Sequence, residues 1–270
     1  MLQEQFERQG YSIARGLLSP GEVEEIGATF MAEAKDGPVE GLSEIRHGGR
    51  NAYDPSDPLA FYPRMMHPHN HPAKRVGSVA LRYMLDSRLH PLLRSFMGDE
   101  PVAVQTMFYF KPPGARGQDL HQDNYYLRVR PGTCCAAWFA IDDADEGNGG
   151  MVVVPGTQNM EIACPEPADG QKYFTTEHVE PPLGLSPVPV NLYAGDVLFF
   201  NGSLVHGSYP NTSSSRFRRS LICHYVPEHA LELAHWYTTR LRFDRSIRQR
   251  YAEASGGGPC GTLQSAPSAH

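Results

Sequence analysis

The 270-residue chain has only two tryptophans and five cysteines, and it carries no excess of basic charge. Each shortage excludes something. Cys134, Cys135, Cys164, Cys223 and Cys260 are odd in number and form no CxxC pair, which argues against a disulfide framework and a structural zinc ribbon. They are expected to be buried or incidental thiols. Lys and Arg total 24 against 30 Asp and Glu, a net charge of −6. That is the opposite of a nucleic-acid footprint, so no nucleic-acid partner is expected. No apolar run approaches the ~20 residues of a membrane span. The opening MLQEQFERQGYS is polar and lacks the apolar segment of a signal peptide. A cytoplasmic protein without membrane association, monomer or homodimer, is the expectation.

Proline and glycine, by contrast, are plentiful at 23 and 26 residues, with 13 tyrosines. Many turns between short segments suggest an all-β or α+β chain. The segment Ser19-Pro20-Gly21-Glu22 has the form of a helix start: an N-cap serine, proline in the first turn and glutamate closing a capping box. That helix is expected to reach about Ala34, with a short strand at Tyr11–Ala14 before it. A second helical region is expected over Ala73–Met97, broken near His90-Pro91, and the polar stretch 36–72 between them is expected to be loop.

After Gly98 the texture turns to short apolar runs: Val102–Phe110, Cys134–Ile141, Met151–Val154, Val188–Leu192, Asp196–Phe200 and Arg218–Val226. Helices followed by strands predict a mainly β (α+β) chain: an antiparallel jelly-roll or barrel core with N-terminal helices packed outside. Residues 1–252 are expected to form one domain. Glu228–Tyr251, with Trp236 and several arginines, is expected to form a C-terminal helix or cover. The Gly/Ser/Ala/Pro-rich end, residues 253–270, is expected to be a disordered tail.

The chemistry-bearing pattern is Leu120-His121-Gln122-Asp123. On a strand, His121 and Asp123 would share a face and Gln122 would turn away. His206 in Leu204-Val205-His206-Gly207-Ser208 offers a third ligand. Two histidines and one carboxylate with open positions are the donor set of non-haem Fe(II) oxygenases, with room for a bidentate 2-oxo acid and O2. Arg218 lies twelve residues after His206, far enough for a turn and a return strand. Its planar fork suits the far carboxylate of 2-oxoglutarate, and Ser208, on the same face as His206, can add a hydrogen bond. Arg216 and Arg219 are alternatives for that role.

Four blocks in order, KPPGARGQDLHQDNYYL, PGTCCAAWFAIDDADEGNGGMVVVPGTQ, GDVLFFNGSLVHGSYPN and RRSLICHY, resemble the phytanoyl-CoA dioxygenase family over roughly residues 8–228. The resemblance implies a double-stranded β-helix, a cupin-like jelly roll. It also implies an Fe(II)- and 2-oxoglutarate-dependent dioxygenase releasing succinate and CO2, with ascorbate as reductant in vitro. It assigns His121, Asp123 and His206 to iron, Arg218 and Ser208 to the distal carboxylate, Trp138 to the cosubstrate pocket, and Gln105 and Tyr109 to polar contacts with cosubstrate or substrate. Gln158 departs from the histidine that the family often carries after PGT; the position is not a ligand. The intact Asp123 favours hydroxylation or desaturation over halogenation.

The substrate is expected to be a small organic molecule. His67 and His69 in the polar loop, with Asn124 and Tyr126 just after the HxD motif, are expected to line its side of the pocket. His224 is expected to be structural. Two other outcomes stand beside hydroxylation. One is desaturation, epimerisation, ring formation or endoperoxidation on the same iron; the other is a catalytically silent cupin-like binding protein.

Overall fold

The computed structural model describes residues 1–44 and 56–254. Most of the expected tail therefore lies outside the described residues. Four helices precede the main strands: α1 (Leu2–Gln9), α2 (Pro20–Glu33), α3 (Arg75–Met84) and α4 (Leu89–Met97); a single turn, α5 (Asn124–Leu127), comes later. α2 starts as its sequence dictates. Ser19 accepts the Glu22 N–H, and the Glu22 side chain returns to the Ser19 N–H. The break between α3 and α4 falls at residues 85–88, not at His90-Pro91. Pro91 sits in the first turn of α4, where its missing N–H would have no intrahelical partner anyway. α1 was not expected from its polar sequence; Phe6 alone is buried on it.

The strands are β1 (Tyr11–Ala14), β2 (Met65–Met66), β3 (Pro101–Tyr109), β4 (Gln118–His121), β5 (Cys135–Ala140), β6 (Met151–Val153), β7 (Glu166–Pro167), β8 (Glu177–His178), β9 (Val188–Val190), β10 (Val197–Asn201), β11 (His206–Ser208), β12 (Ser220–Pro227), β13 (Glu232–Leu233) and β14 (Ala252–Glu253). Two antiparallel sheets carry the fold, ordered β1-β10-β5-β12-β3-β2 and β4-β11-β6-β9. The expected double-stranded β-helix is thus present. β2 lies within the stretch expected to be loop, and pairs Met65 and Met66 with Phe108 and Met107.

The larger sheet is buried on both faces, which explains its near-continuous apolar strands. Ala137 and Phe139 of β5 and Leu221 and Cys223 of β12 face the helices, packing with Ile26, Phe30, Val79 and Leu93. Trp138, Ala140 and Ile222 point the other way and meet Met151, Val153 and Val190 of the smaller sheet. The inter-sheet space is where the proposed ligands converge.

Residues 228–254 form no helix. They run as turns and short bridges, with Leu233, Tyr237 and Tyr251 buried against Val102, Val104 and Tyr126. The cover expectation holds and the helical one does not. Among the cysteines, Cys134, Cys135 and Cys223 are buried free thiols, whereas Cys164 is disulfide-bonded. No described helix is long and apolar enough to cross a membrane.

Candidate active site

Antiparallel pairing of β4 with β11 sets His121 directly opposite His206, and their rings lie 4.3 Å apart, centroid to centroid. Asp123 joins them by a different route from the one the sequence suggested. β4 ends at His121, and Asp123 is the helical N-cap residue of α5. A turn off the strand, not i/i+2 alternation along it, brings the carboxylate in. Gln122 anchors that turn: its side-chain amide donates to the Ser203 carbonyl at 2.7 Å and its oxygen accepts the Ala163 N–H at 2.8 Å.

Asp123 Oδ1 is 3.5 Å from Nε2 of both histidines. Ligand atoms of all three residues lie within 4.8 Å of one another, the only such group of three or more among the described residues. Each Nδ1 is bound to a backbone carbonyl, His121 to Asp119 at 2.7 Å and His206 to Leu204 at 2.9 Å. A proton on Nδ1 leaves the Nε2 lone pair turned inward, the tautomer a metal needs. The Gln118 side-chain amide lies 3.0 Å from His121 Nε2. Burial, then His206, lowers the pKa of His121 and keeps it neutral. Burial works to raise the Asp123 pKa, but His206, His224 and His121 together hold it well below the usual carboxylate range. Two imidazoles and one carboxylate fit a divalent metal such as iron.

His224, expected to be merely structural, touches this centre. It lies on the inward face of β12, and its Nε2 donates to Asp123 Oδ2 at 2.9 Å, leaving Oδ1 for the metal position. A signal existed in the sequence: His224 shares i/i+2 parity with Ile222, which faces the inter-sheet core.

A cavity is lined by the three residues together with Ser208, Arg218, Trp138 and Tyr109. Arg218 is 2% exposed. Its Nε donates to the Gly149 carbonyl at 2.9 Å and Nη1 to Ser220 Oγ at 2.8 Å. Its guanidinium carbon is 5.4 Å from the Trp138 ring centroid. Burial pushes its pKa down to about 10, so it stays charged at neutral pH. No carboxylate among the described residues forms an ion pair with it. Arg216 and Arg219 differ: Arg216 pairs with Asp145 and Arg219 with Asp142.

Tyr109 accepts from Arg64 Nη1 at 2.6 Å. Gln105 is fully buried opposite His224 on β3 and is not among the cavity-lining residues. The expected substrate residues lie around the centre in different settings. The Tyr126 ring is buried 6.3 Å from that of His121. His67 adopts a left-handed backbone at φ 49°, its ring 6.4 Å from Tyr237. His69 is buried between Thr106 and Thr239, at 2.6 and 2.8 Å from their hydroxyls, and Asn124 closes its own turn on Val129. None of His67, His69, Asn124 and Tyr126 is among the residues that line the cavity.

Helix-backed antiparallel sheets enclosing two histidines, a carboxylate and a buried arginine define the class: a cupin-like jelly roll of the non-haem iron type. The particular family follows from comparison. The chain matches the model of the phytanoyl-CoA dioxygenase (PhyH) family over residues 6–220 and belongs to that family. It is 28% identical over 165 residues to phytanoyl-CoA dioxygenase 1 of Oryza sativa subsp. japonica, covering 60% of this chain and 58% of that one. To the peroxisomal phytanoyl-CoA dioxygenase of Rattus norvegicus it is 25% identical over 238 residues, covering 82% and 66%. The chain thus spans about half to two thirds of these relatives' lengths. Among solved structures, the non-haem α-ketoglutarate-dependent epimerase SnoN from nogalamycin biosynthesis superposes with a TM-score of 0.62 at 22% identity, over 85% of this chain and 82% of SnoN. EvdO2 from Micromonospora carbonacea var. aurantiaca gives 0.63 at 19%, over 84% and 89%.

Proposed function

We propose that this chain is an Fe(II)- and 2-oxoglutarate-dependent dioxygenase that oxidises, most simply hydroxylates, a small organic molecule. The observation that carries the reading is the convergence of His121, Asp123 and His206 on a cavity that also holds a buried, charged Arg218 with no carboxylate partner among the described residues. Such a cation is costly to bury unless a ligand anion completes it. Iron held by the three ligands would supply O2 activation coupled to oxidative decarboxylation of the cosubstrate.

The protein's own residues do the rest. Arg218 and Ser208 fix the distal carboxylate of 2-oxoglutarate. Trp138, stacked beside the guanidinium, restricts the cosubstrate to one plane and excludes water. Tyr109, tied to Arg64, and Gln105 supply polarity on β3. Tyr126 and His67 belong to the substrate side, with His69 and Asn124 holding the loops that carry them. A cytoplasmic location belongs to the same proposal.

A second reading keeps the centre and changes the outcome to epimerisation or ring closure; the SnoN epimerase and the SnoK carbocyclase share the fold. A silent binding protein is disfavoured, because binding alone does not require three convergent metal donors. The test is succinate formation from 2-oxoglutarate with Fe(II), O2 and ascorbate. Wild type is expected to release succinate, and His121→Ala none. Equal succinate from both would overturn the proposal.

A further inference from the structure

Lys111 follows β3 and is 1% exposed, yet it forms no ion pair with a carboxylate among the described residues. Its Nζ donates to Ser208 Oγ at 2.8 Å and to the Tyr209 carbonyl at 2.7 Å. Ser208 Oγ also accepts the Gln118 backbone N–H at 3.2 Å. A hydroxyl oxygen has two lone pairs and one proton. With both lone pairs engaged, Ser208 can offer the cavity only its O–H. Room for the lysine stem is built in: a Cβ at Gly149 would lie 2.2 Å from Lys111 Cδ, and Gly149 has φ +85°. The Gly149 carbonyl meanwhile accepts from Arg218. One glycine thus serves both buried side chains.

We propose that Lys111 is a positioning residue for the cosubstrate: by occupying Ser208 Oγ as a donor, it makes the serine an obligate donor toward the cavity and so selects an acceptor-only group, a carboxylate, beside Arg218. The inference rests on the assignment of 2-oxoglutarate to Arg218 and Ser208, and it adds the reason that the site discriminates a 2-oxo diacid from a 2-oxo monoacid. Burial first, then Arg218, pulls the Lys111 pKa well below its ordinary range, and a carboxylate bound nearby would offset both.

The experiment is calorimetric titration of the Mn(II)-loaded full chain with 2-oxoglutarate and with 2-oxobutanoate, which has the same 2-oxo acid head and no distal carboxylate. Lys111→Met is expected to weaken 2-oxoglutarate about tenfold while leaving 2-oxobutanoate and Mn(II) within about twofold, the loss expected when a charged hydrogen-bond network is cut. In a Ser208→Ala background the same substitution should cost less than about twofold, since its effect passes through the serine. Should Lys111→Met fail to fold, Lys111→Leu, which likewise has no donor, gives the same readout as a reduced ratio of the two affinities. An unchanged ratio overturns the proposal. So does an equal loss for both acids, which would mark general damage, or a full loss persisting in the Ser208→Ala background. If wild type itself binds no 2-oxoglutarate, the site assignment falls and this inference with it; wild-type binding with an unchanged variant ratio overturns the inference alone.

Discussion

At the scale of single residues, the site works by constraining protons and charge. Arg218 lies in the barrel with its guanidinium held on three sides by Gly149, Ser220 and Trp138. Arg218→Ala should therefore raise the KM for 2-oxoglutarate about 10- to 150-fold, corresponding to a lost charged hydrogen bond of about 1.5–3 kcal/mol. Steady-state kinetics on Arg218→Ala, Arg216→Ala and Arg219→Ala would check it; an effect confined to Arg216 or Arg219 contradicts the assignment. His224 acts one step further out. It binds the Asp123 oxygen that faces away from the two histidines, so His224→Phe should weaken Mn(II) binding by about 10- to 100-fold, as is usual for partners that orient a ligand. Isothermal titration reads this directly, and undiminished affinity would show that Asp123 needs no such help.

Secondary-structure elements carry these residues to one place, and His69, expected on the substrate side, bridges two of them. The short turn at Pro68–Asn70 buries His69, which links Thr106 of β3 to Thr239 of the C-terminal cover. Burial, followed by repulsion from His67 and His71, lowers the His69 pKa to about 3, and burial above all lowers that of His67 to about 4. The unfolded chain takes up these protons near 6.5. Between about pH 6.5 and 4 the unfolded state thus binds more protons, so stability is full above 6.5 and declines as pH falls through this window. Thermal melts from pH 7 to 4 should show the decline, and His69→Gln should flatten it relative to wild type. Parallel curves would mean that His69 is not the group being titrated.

For the whole molecule, stability and chemistry occupy opposite faces of the larger sheet. Phe30 of α2 stacks on Phe108 of β3 with ring centroids 4.0 Å apart, deep in the helix-facing core. Phe30→Ala should cost about 3–5 kcal/mol of unfolding free energy, the usual range for removing a buried aromatic. His121→Ala should leave the urea midpoint within the scatter of ordinary polar substitutions while abolishing Mn(II) binding. A fall in midpoint as large as that of Phe30→Ala would show that the ligand set is part of the core after all.

The sequence by itself determined the main strands and a candidate donor set. Strand positions were legible because apolar runs bounded by Gly and Pro leave few alternatives. His121, Asp123, His206 and Arg218 were legible because their residue types and spacing suit one chemistry. Tertiary structure decided what depends on partners distant in sequence. It replaced strand alternation at Asp123 with a turn into α5, and it brought His224 onto Asp123 across 101 residues and Lys111 onto Ser208 across 97. It also gave Arg216 and Arg219 their own aspartates. Periodicity reports which face a residue occupies; which atom it meets there is set by how the two sheets close on each other.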